Sequence, residues 1–166
     1  MPITEEQLQQ AGAELGDQLR YHGRTIATAE SCTGGWVAKV LTDRPGCSAY
    51  VMAGLVTYSN EAKQMLLGVD EQVLETEGAV SELVVRQMVA GAVRATGADV
   101  AVAISGIAGP GGGSEEEPVG TVWFAWGAGP GHTETSLQHF EGDRDAVRRQ
   151  AVLYALQGVT GFLQNR

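Results

Sequence analysis

Residues 99–105 read Asp-Val-Ala-Val-Ala-Ile-Ser, and this nearly uninterrupted apolar run decides the fold. A strand with apolar side chains on both faces is typical of a sheet that is covered on both sides. The run lies between stretches with helical periodicity, so the sheet has to be packed between two layers of helices. A hairpin-like section at 120–140 makes the sheet mixed. We therefore predict a single domain over residues 1–166, folded as a three-layer α/β/α sandwich with a mixed β-sheet.

The flanking segments supply the other elements of this sandwich. Thr4 and Gln7 have the spacing of a capping box, which predicts a first helix that ends at Gly23. Gly54 interrupts the β-favouring stretch 50–58 and is compatible with a bulge there. Further strands are predicted at 25–29, 120–126 and 133–140, and further helices at 36–41, 61–67, 70–78, 81–96 and from Asp143 onward.

The chain is acidic, with a formal net charge of -9 over 166 residues. An acidic surface repels phosphate backbones and so argues against general nucleic-acid binding, although a local pocket can still bind one small phosphorylated ligand. The start of the sequence has no signal-peptide pattern, and no apolar run approaches the roughly 20 residues that cross a bilayer. Cys32 and Cys47 form no C-x-x-C pair, which fits free thiols in a reducing compartment. We expect a cytoplasmic protein that binds neither nucleic acid nor membrane.

Several well-known catalytic motifs are absent from the sequence. It contains no P-loop and no G-x-S-x-G, and neither glycine-rich stretch completes G-x-G-x-x-G. His22, His132 and His139 do not have metal-ligand spacing, so we expect no metal and no cofactor. A catalytic triad also lacks an obvious histidine base. Hydrolysis in this chain would have to use Ser or Cys together with Lys.

The first candidate site is Ser31-Cys32-Thr33-Gly34-Gly35, between a predicted strand and a predicted helix. This position leaves several backbone N–H groups without helical partners, and such groups can bind a phosphate or an oxyanion. Gly34 and Gly35 allow a ligand to approach the main chain. The alternative is a plain glycine-rich turn in which Ser31 or Thr33 is the N-cap, and the local pattern does not decide between the two.

The second candidate is Tyr58-Ser59-Asn60-Glu61-Ala62-Lys63. If Asn60 caps the helix, Lys63 lies on its first turn, where a cation opposes the helix dipole. This position would lower the pKa of a buried lysine, and a neutral lysine amine can act as the general base of a serine. The alternative is an exposed lysine on a short helix, which the local pattern by itself favours.

Two further candidates lie later in the chain. Ser105 and Gly106 begin a glycine-rich loop at the carboxyl end of the buried strand, where open α/β sheets bind their ligands. The alternative for this loop is a flexible connector. Arg144 begins the last helix, where a cation is best explained if it binds an anion. Arg148 and Arg149, one turn further on, are interpreted as members of surface ion pairs.

Five segments of the chain stand in the order of one known family: Thr-Ala-Glu-Ser-Cys-Thr-Gly-Gly at 28–35, Val-Thr-Tyr-Ser-Asn-Glu-Ala-Lys at 56–63, Gly-Ala-Val-Ser at 78–81, Ile-Ser-Gly-Ile-Ala-Gly-Pro at 104–110 and Phe-Glu-Gly-Asp-Arg at 140–144. With these motifs, and over about its whole length, the chain resembles the CinA C-terminal domain family. It is most similar to the stand-alone members, which are nicotinamide-nucleotide amidohydrolases. The resemblance implies an α/β/α sandwich with a mixed sheet and a homo-oligomer.

The resemblance also implies a reaction and the residues that perform it. The reaction is hydrolysis of the carboxamide of nicotinamide mononucleotide to nicotinic acid mononucleotide and ammonia, within pyridine-nucleotide salvage. The family's serine nucleophile corresponds to Ser31, its lysine base to Lys63, and its assisting hydroxyls to Tyr58 and Ser48. We add to these the predicted substrate-binding residues: the backbone N–H groups of Cys32, Thr33, Gly34 and Gly35 for the oxyanion, and Ser105, Gly106 and Arg144 for phosphate and ribose.

Three alternatives stay open at this point. Cys32 is next to Ser31, is intrinsically more nucleophilic, and would be favoured as a thiolate near a helix N-terminus. The chain can also be a non-catalytic nucleotide-binding or regulatory module of the CinA type. A third possibility is an amidase for a different pyridine or pterin-like substrate.

Overall fold

The computed structural model describes residues 2–165. Along the chain its elements are α1 (Glu5–His22), β1 (Ile26–Glu30), α2 (Trp36–Thr42), a 3-10 turn (Cys47–Ala49), β2 (Val51–Val56), α3 (Asn60–Leu67), α4 (Glu71–Glu77), α5 (Glu82–Thr96), β3 (Val100–Gly106), β4 (Thr121–Gly127), β5 (Thr133–His139) and α6 (Arg144–Gln164). Within residues 2–165, none of these helices combines the length and the apolar character that spanning a membrane requires.

The strands form one five-stranded sheet in the order β2-β1-β3-β4-β5. β1 is parallel to both of its neighbours, β2 and β3, whereas β4 is antiparallel to both of its neighbours, β3 and β5. The mixed sheet predicted from the sequence is therefore confirmed. The apolar run at 99–105 becomes β3, the central strand, and residues 100–105 are buried.

Helices cover both faces of the sheet. On one face α1, α2 and α6 pack over a core that includes Leu15, Val40 and Phe124. On the other face α5 packs with α3 and α4 over a core that includes Leu67 and Met88. The predicted three-layer α/β/α sandwich is therefore confirmed.

Local sequence signals explain most of the element boundaries. The capping box of Thr4 and Gln7 is formed at the start of α1. Ser59, not Asn60, is the N-cap of α3, and its hydroxyl accepts from the N–H of Ala62. The irregularity between β1 and β2 lies between Ile26 and Ala27, where Met52 of β2 has no partner, and not at Gly54, so the position suggested for the bulge is wrong.

The lack of a side chain at Gly54 has a packing reason instead. A Cβ atom at this position would come within 2.7 Å of the Ala38 side chain. Ala38 lies on α2, so a glycine in β2 allows this helix to approach the sheet closely.

The parallel strands bring three chain segments together at one edge of the sheet. Beyond the end of β1, the N–H of Ser31 donates to the carbonyl of Ile104 at 3.0 Å. Beyond the end of β2, the N–H of Thr57 donates to the carbonyl of Glu30 at 2.9 Å. The loops that follow β1, β2 and β3 therefore begin side by side, where α/β sheets bind ligands.

Candidate active site

Ser31 and Lys63 form a buried hydrogen-bonded pair at this edge of the sheet. The Lys63 Nζ atom lies 3.0 Å from the Ser31 Oγ atom. Ser31 follows β1, whereas Lys63 lies on the first turn of α3. The exposed fraction is 7% for Ser31 and 1% for Lys63. The interpretation of Lys63 as an exposed surface lysine is therefore wrong, because the helix directs this side chain into the protein.

The surroundings of Lys63 favour its neutral form. Its ammonium group donates to the carbonyl oxygens of Thr57 at 2.8 Å and Tyr58 at 3.0 Å. Among residues 2–165 it has no carboxylate partner. Burial lowers the pKa of Lys63 from 10.5 to about 8, because a charged amine loses its hydration there.

The two carbonyl groups also orient a neutral Lys63. A carbonyl oxygen only accepts hydrogen bonds, so the two N–H groups of a neutral amine are directed at Thr57 and Tyr58. In the structure Lys63 Nζ also donates to Ser31 Oγ, and the Ser31 hydroxyl donates to the Tyr58 carbonyl at 3.3 Å; in a neutral amine a lone pair replaces the N–H that faces Ser31 Oγ. This arrangement can remove the proton from Ser31 as its oxygen attacks an electrophile.

The loop 31–35 turns the chain sharply from β1 into α2. Gly34 and Gly35 have positive φ angles of 63° and 96°, which glycine adopts without a steric penalty. Gly35 is the N-cap of α2 and provides no side-chain hydrogen bond, so the alternative in which Ser31 or Thr33 caps the helix is wrong. Within residues 2–165 the N–H groups of Thr33 and Gly35 make no hydrogen bond. Gly35 is partly exposed, so its N–H is available to a ligand, whereas Thr33 is fully buried and its N–H is not.

The Glu30 carboxylate takes the place of the missing N-cap of α2, a role that the sequence pattern did not predict. Glu30 is fully buried at the end of β1. Its oxygens accept from the N–H of Val37 at 2.9 Å, the N–H of Ala38 at 3.0 Å and the Thr33 hydroxyl at 2.7 Å. The sequence does contain one signal for this role: the two glycines before α2 have no side chain that could cap the helix, so another residue has to do so. Because the N–H groups of Val37 and Ala38 donate to Glu30, they are not available to a substrate.

The properties of Cys32 argue against it as the nucleophile. Its side chain is buried in the core beneath α2 and α6. The pKa of the Cys32 thiol is raised to about 11, chiefly by burial and to a smaller extent by the nearby Glu30 carboxylate, against the opposing effects of the Cys32 backbone N–H, Arg148 and Lys63. The expectation that the helix terminus favours a thiolate is therefore wrong, since desolvation outweighs it.

The two predicted assisting hydroxyls are not brought to the Ser31–Lys63 pair. Tyr58 takes part through its backbone carbonyl, and its side chain is 64% exposed. Ser48 lies in the 3-10 turn before β2, whereas Ser31 lies beyond the end of the parallel strand β1. The length of the sheet therefore separates Ser48 from Ser31, and an assisting role for Ser48 is not supported within one chain.

The predicted phosphate and ribose residues lie along the same edge. Ser105 and Gly106 end β3 next to Ser31, because Ile104 accepts the Ser31 N–H. The Arg144 guanidinium donates to the carbonyl of Gly109 at 2.7 Å and so joins the glycine-rich loop to the start of α6. It contacts this loop and not the Ser31–Lys63 pair, and its ligand role stays a prediction.

Arg148 is not part of a surface ion pair, so that interpretation is wrong. Its guanidinium is half-buried and donates to the carbonyl of Cys32 at 3.0 Å and to that of Thr33 at 3.3 Å. Arg149 does form the predicted ion pairs, with Asp145 at 2.8 Å and Glu5 at 3.7 Å. In residues 2–165 no group of three or more His, Cys, Asp or Glu side chains is arranged to hold a metal ion.

Comparison with known proteins identifies close relatives. The model of the CinA C-terminal domain matches residues 8–163. The chain is 57% identical over 164 residues to the nicotinamide-nucleotide amidohydrolase PncC of Escherichia coli K12, covering 98% of this chain and 99% of the relative. Among solved structures it is similar to the competence/damage inducible protein CihA of Agrobacterium tumefaciens, with 38% identity, a TM-score of 0.92 and 100% coverage of both chains. A CinA superfamily protein of Klebsiella pneumoniae matches with 40% identity and a TM-score of 0.92 over 96% of this chain and 99% of that one.

Proposed function

The chain belongs to the CinA C-terminal domain family, and on that premise we propose that it hydrolyses the carboxamide of nicotinamide mononucleotide. The products are nicotinic acid mononucleotide and ammonia. The 57% identity to an enzyme named nicotinamide-nucleotide amidohydrolase supports this substrate. The hydrogen bond between Lys63 Nζ and Ser31 Oγ is the single observation that carries the chemistry, because it supplies a base for a serine nucleophile.

The reaction begins with neutral Lys63, which takes the hydroxyl proton of Ser31 as the Oγ atom attacks the carboxamide carbon. The negative charge that develops on the substrate oxygen is met by the free and partly exposed N–H group of Gly35 in the loop 31–35. Such donors contribute about 2.7–4 kcal/mol each in other enzymes. The charged Lys63 then gives its proton to the amide nitrogen, ammonia leaves, and an acyl ester remains on Ser31.

The second half of the reaction repeats these steps with water. Lys63 is neutral again after ammonia has left, and it takes a proton from the attacking water. The tetrahedral intermediate collapses, the C–O bond to Ser31 breaks, and the proton on Lys63 returns to the serine oxygen. The nicotinic acid product leaves as its carboxylate. One water is consumed for each amide bond cleaved, and no redox partner takes part.

The test is ammonia release from nicotinamide mononucleotide by the wild-type chain and by Ser31→Ala, with chelator present. We expect activity in the wild type and a fall of at least about 10³-fold in Ser31→Ala, since the covalent route is lost. Retained folding is checked by thermal melting. A wild type that binds the nucleotide without releasing ammonia would instead favour the non-catalytic module. Release from a different pyridine amide alone would favour another substrate.

The remaining parts of the proposal concern the cellular setting. We propose that the chain acts as a single domain in pyridine-nucleotide salvage, in the cytoplasm, and as a homo-oligomer. Light scattering of the purified protein measures the oligomer directly. A strong loss of activity in Ser48→Ala, in a protein that still assembles, would indicate that a neighbouring subunit supplies this hydroxyl.

A further inference from the structure

The two edge strands of the sheet differ in how they are protected from pairing with another chain. β5 carries charged and polar side chains at exposed positions, among them Glu134 and His139. Its main chain is also partly engaged, because the Arg86 guanidinium donates to the carbonyl of Thr133 at 3.0 Å. β2 reads Val-Met-Ala-Gly-Leu-Val, with no polar side chain and no proline. An edge strand without such protection is a template for pairing with another chain.

The outer side of β2 has no partner in a single copy of the chain. β2 is the last strand of the sheet and pairs only with β1. The strand is irregular at Met52, and its pairing with β1 is regular from Ala53 to Val56. Within residues 2–165, the main-chain groups of this regular stretch make no hydrogen bond except those to β1. Their outward-facing N–H and C=O groups are therefore free to pair with a further strand.

Exposed apolar side chains surround this free edge. Within residues 2–165, eight large apolar or aromatic side chains are exposed, and five of them lie between positions 52 and 66. They are Met52 and Val56 on β2, Tyr58 shortly after it, and Met65 and Leu66 on α3. Since scattered single residues of this kind are normal but a cluster is not, the cluster indicates a surface that binds another protein.

The charge pattern favours a second copy of this chain as that protein. The net charge of -9 makes two copies repel each other over most of their surface. Residues 45–60, which include β2 and the segments on either side of it, contain no charged side chain. Two copies can therefore approach along this stretch without bringing like charges together. Identical patches match each other about a twofold axis, which is the commonest symmetry of soluble oligomers.

We propose that the free edge of β2 pairs antiparallel with β2 of a second copy, so that two five-stranded sheets become one. This inference names the surface of the homo-oligomer proposed above and rests on that part of the proposed function. Opposite residues of an antiparallel pair point to the same face, which places the twofold axis at Gly54 or Leu55. The axis is perpendicular to the sheet, so both α3 helices lie on the same face and meet through Met65 and Leu66.

This arrangement brings the second copy to the edge of the Ser31–Lys63 site. The carbonyl of Tyr58, just beyond β2, accepts from Lys63 Nζ and from the Ser31 hydroxyl. In an antiparallel pair the start of one strand lies beside the end of the other. The partner's 3-10 turn, which precedes its β2, therefore comes next to Tyr58 and the start of α3. The exposed Ser48 of that turn then lies at the end of the sheet where Ser31 lies, which a single chain does not achieve.

The experiment measures the mass of the wild type, Met52→Lys, Met65→Lys and Leu137→Lys by light scattering over a range of chain concentrations. We expect a dimer for the wild type. In Met52→Lys the dissociation constant should rise by at least about 100-fold, because the symmetric interface would bury the unpaired charge twice. Met65→Lys should weaken the dimer for the same reason. Leu137→Lys is the matched control, since Leu137 on β5 is 39% exposed against 48% for Met52, and its dimer should match the wild type.

Hydrogen exchange locates the interface independently of the mass. In the wild-type dimer the amides of Ala53–Val56 that face outward should exchange more slowly as the chain concentration rises. In Met52→Lys this dependence on concentration should disappear. The amides of Thr133–His139 on the other edge should exchange equally in both proteins at every concentration.

Different results would overturn the inference. A wild type that stays monomeric at all concentrations would defeat it together with the proposed homo-oligomer. A Met52→Lys protein that remains dimeric, or a Leu137→Lys protein that dissociates equally, would defeat this inference alone. If Met52→Lys does not fold, Met65→Lys decides the question, because Met65 is 83% exposed and its replacement disturbs no core packing. Neither measurement uses ammonia release, so a failure of the proposed hydrolysis is a separate result.

Discussion

Two buried ionisable side chains flank Ser31 from opposite faces of the sheet, and their surroundings differ. Glu30 points towards α2, where two backbone N–H groups and one hydroxyl donate to its carboxylate. Lys63 points in from α3, where two carbonyl oxygens and the Ser31 hydroxyl surround its amine. Three donors around a carboxylate stabilise its charge, and two of them lie at a helix N-terminus. Three neutral acceptors around an amine do not replace the water that burial removes.

This difference separates a structural charge from a reactive base. The Glu30 carboxylate joins β1 to α2 and keeps the loop 31–35 in shape. For Lys63, a pKa of about 8 in place of 10.5 corresponds to about 3 kcal/mol of destabilisation of its charged form. The protein tolerates this cost next to Ser31, where a neutral amine is useful. Substitution at Glu30 should therefore change mainly stability, and substitution at Lys63 mainly the reaction.

The largest effect is expected from Lys63→Met, which keeps the length of the side chain without the amine. We expect kcat to fall by about 10²- to 10⁴-fold, the range in which a general base contributes. In the wild type, kcat/KM should rise with pH and level off above a midpoint near 8, because the base must be neutral. A flat profile between pH 7 and pH 9 would contradict the role of Lys63 as the base.

Stability measurements on the wild type and Lys63→Met test the burial of the Lys63 amine independently of activity. Between about pH 8 and pH 10.5 the unfolded chain keeps a proton on Lys63 that the folded chain has lost. The unfolding free energy of the wild type therefore rises with pH in this window relative to that of Lys63→Met, by up to about 3 kcal/mol. Urea denaturation of both proteins at several pH values measures the difference between their unfolding free energies. The other titrating groups contribute equally to both proteins and do not affect this difference. A constant difference would show that Lys63 titrates as it does in water.

A smaller effect on the reaction, and a larger one on folding, is expected from Glu30→Gln. The amide keeps the size of the side chain but loses the charge and turns one acceptor into a donor that faces other donors. We expect the unfolding free energy to fall by about 2–3 kcal/mol, since hydrogen bonds to a buried charged group contribute about this much. At 25 °C kcat should fall by less than about tenfold. Unchanged thermal stability together with abolished activity in Glu30→Gln would show that Glu30 acts in the reaction and not in the stability of the fold.

The sequence predicted the parts of this site that depend on local pattern. The apolar β3 run, the interleaved helices and the alignment of strand ends gave the sheet and its reactive edge, and the family motifs gave the Ser31–Lys63 pair. Glu30 was missed, because two of its three partners are main-chain N–H groups, which a sequence pattern does not reveal. Arg148 was misassigned, because its contacts with the loop 31–35 join residues more than 100 positions apart. Ser48 was assigned to the site by its motif position alone. This position does not reveal that Ser48 precedes the parallel strand β2 and so lies at the opposite end of the sheet from Ser31.

The smallest effect is expected from Cys32→Ala, which tests whether the reactive atom at this turn is oxygen or sulfur. A thiol with a pKa of about 11 is almost entirely protonated at neutral pH, and the thiolate is the form that attacks. The amine that could activate a nucleophile contacts Ser31 Oγ and two main-chain carbonyls. We therefore expect kcat within about threefold of the wild type and a loss of about 1 kcal/mol in stability, because the side chain fills part of the core. Ammonia-release kinetics and urea denaturation measure the two quantities. If Cys32→Ala were as inactive as Ser31→Ala while still folded, Cys32 and not Ser31 would be the nucleophile that Lys63 activates. The burial of the thiol would then need an explanation.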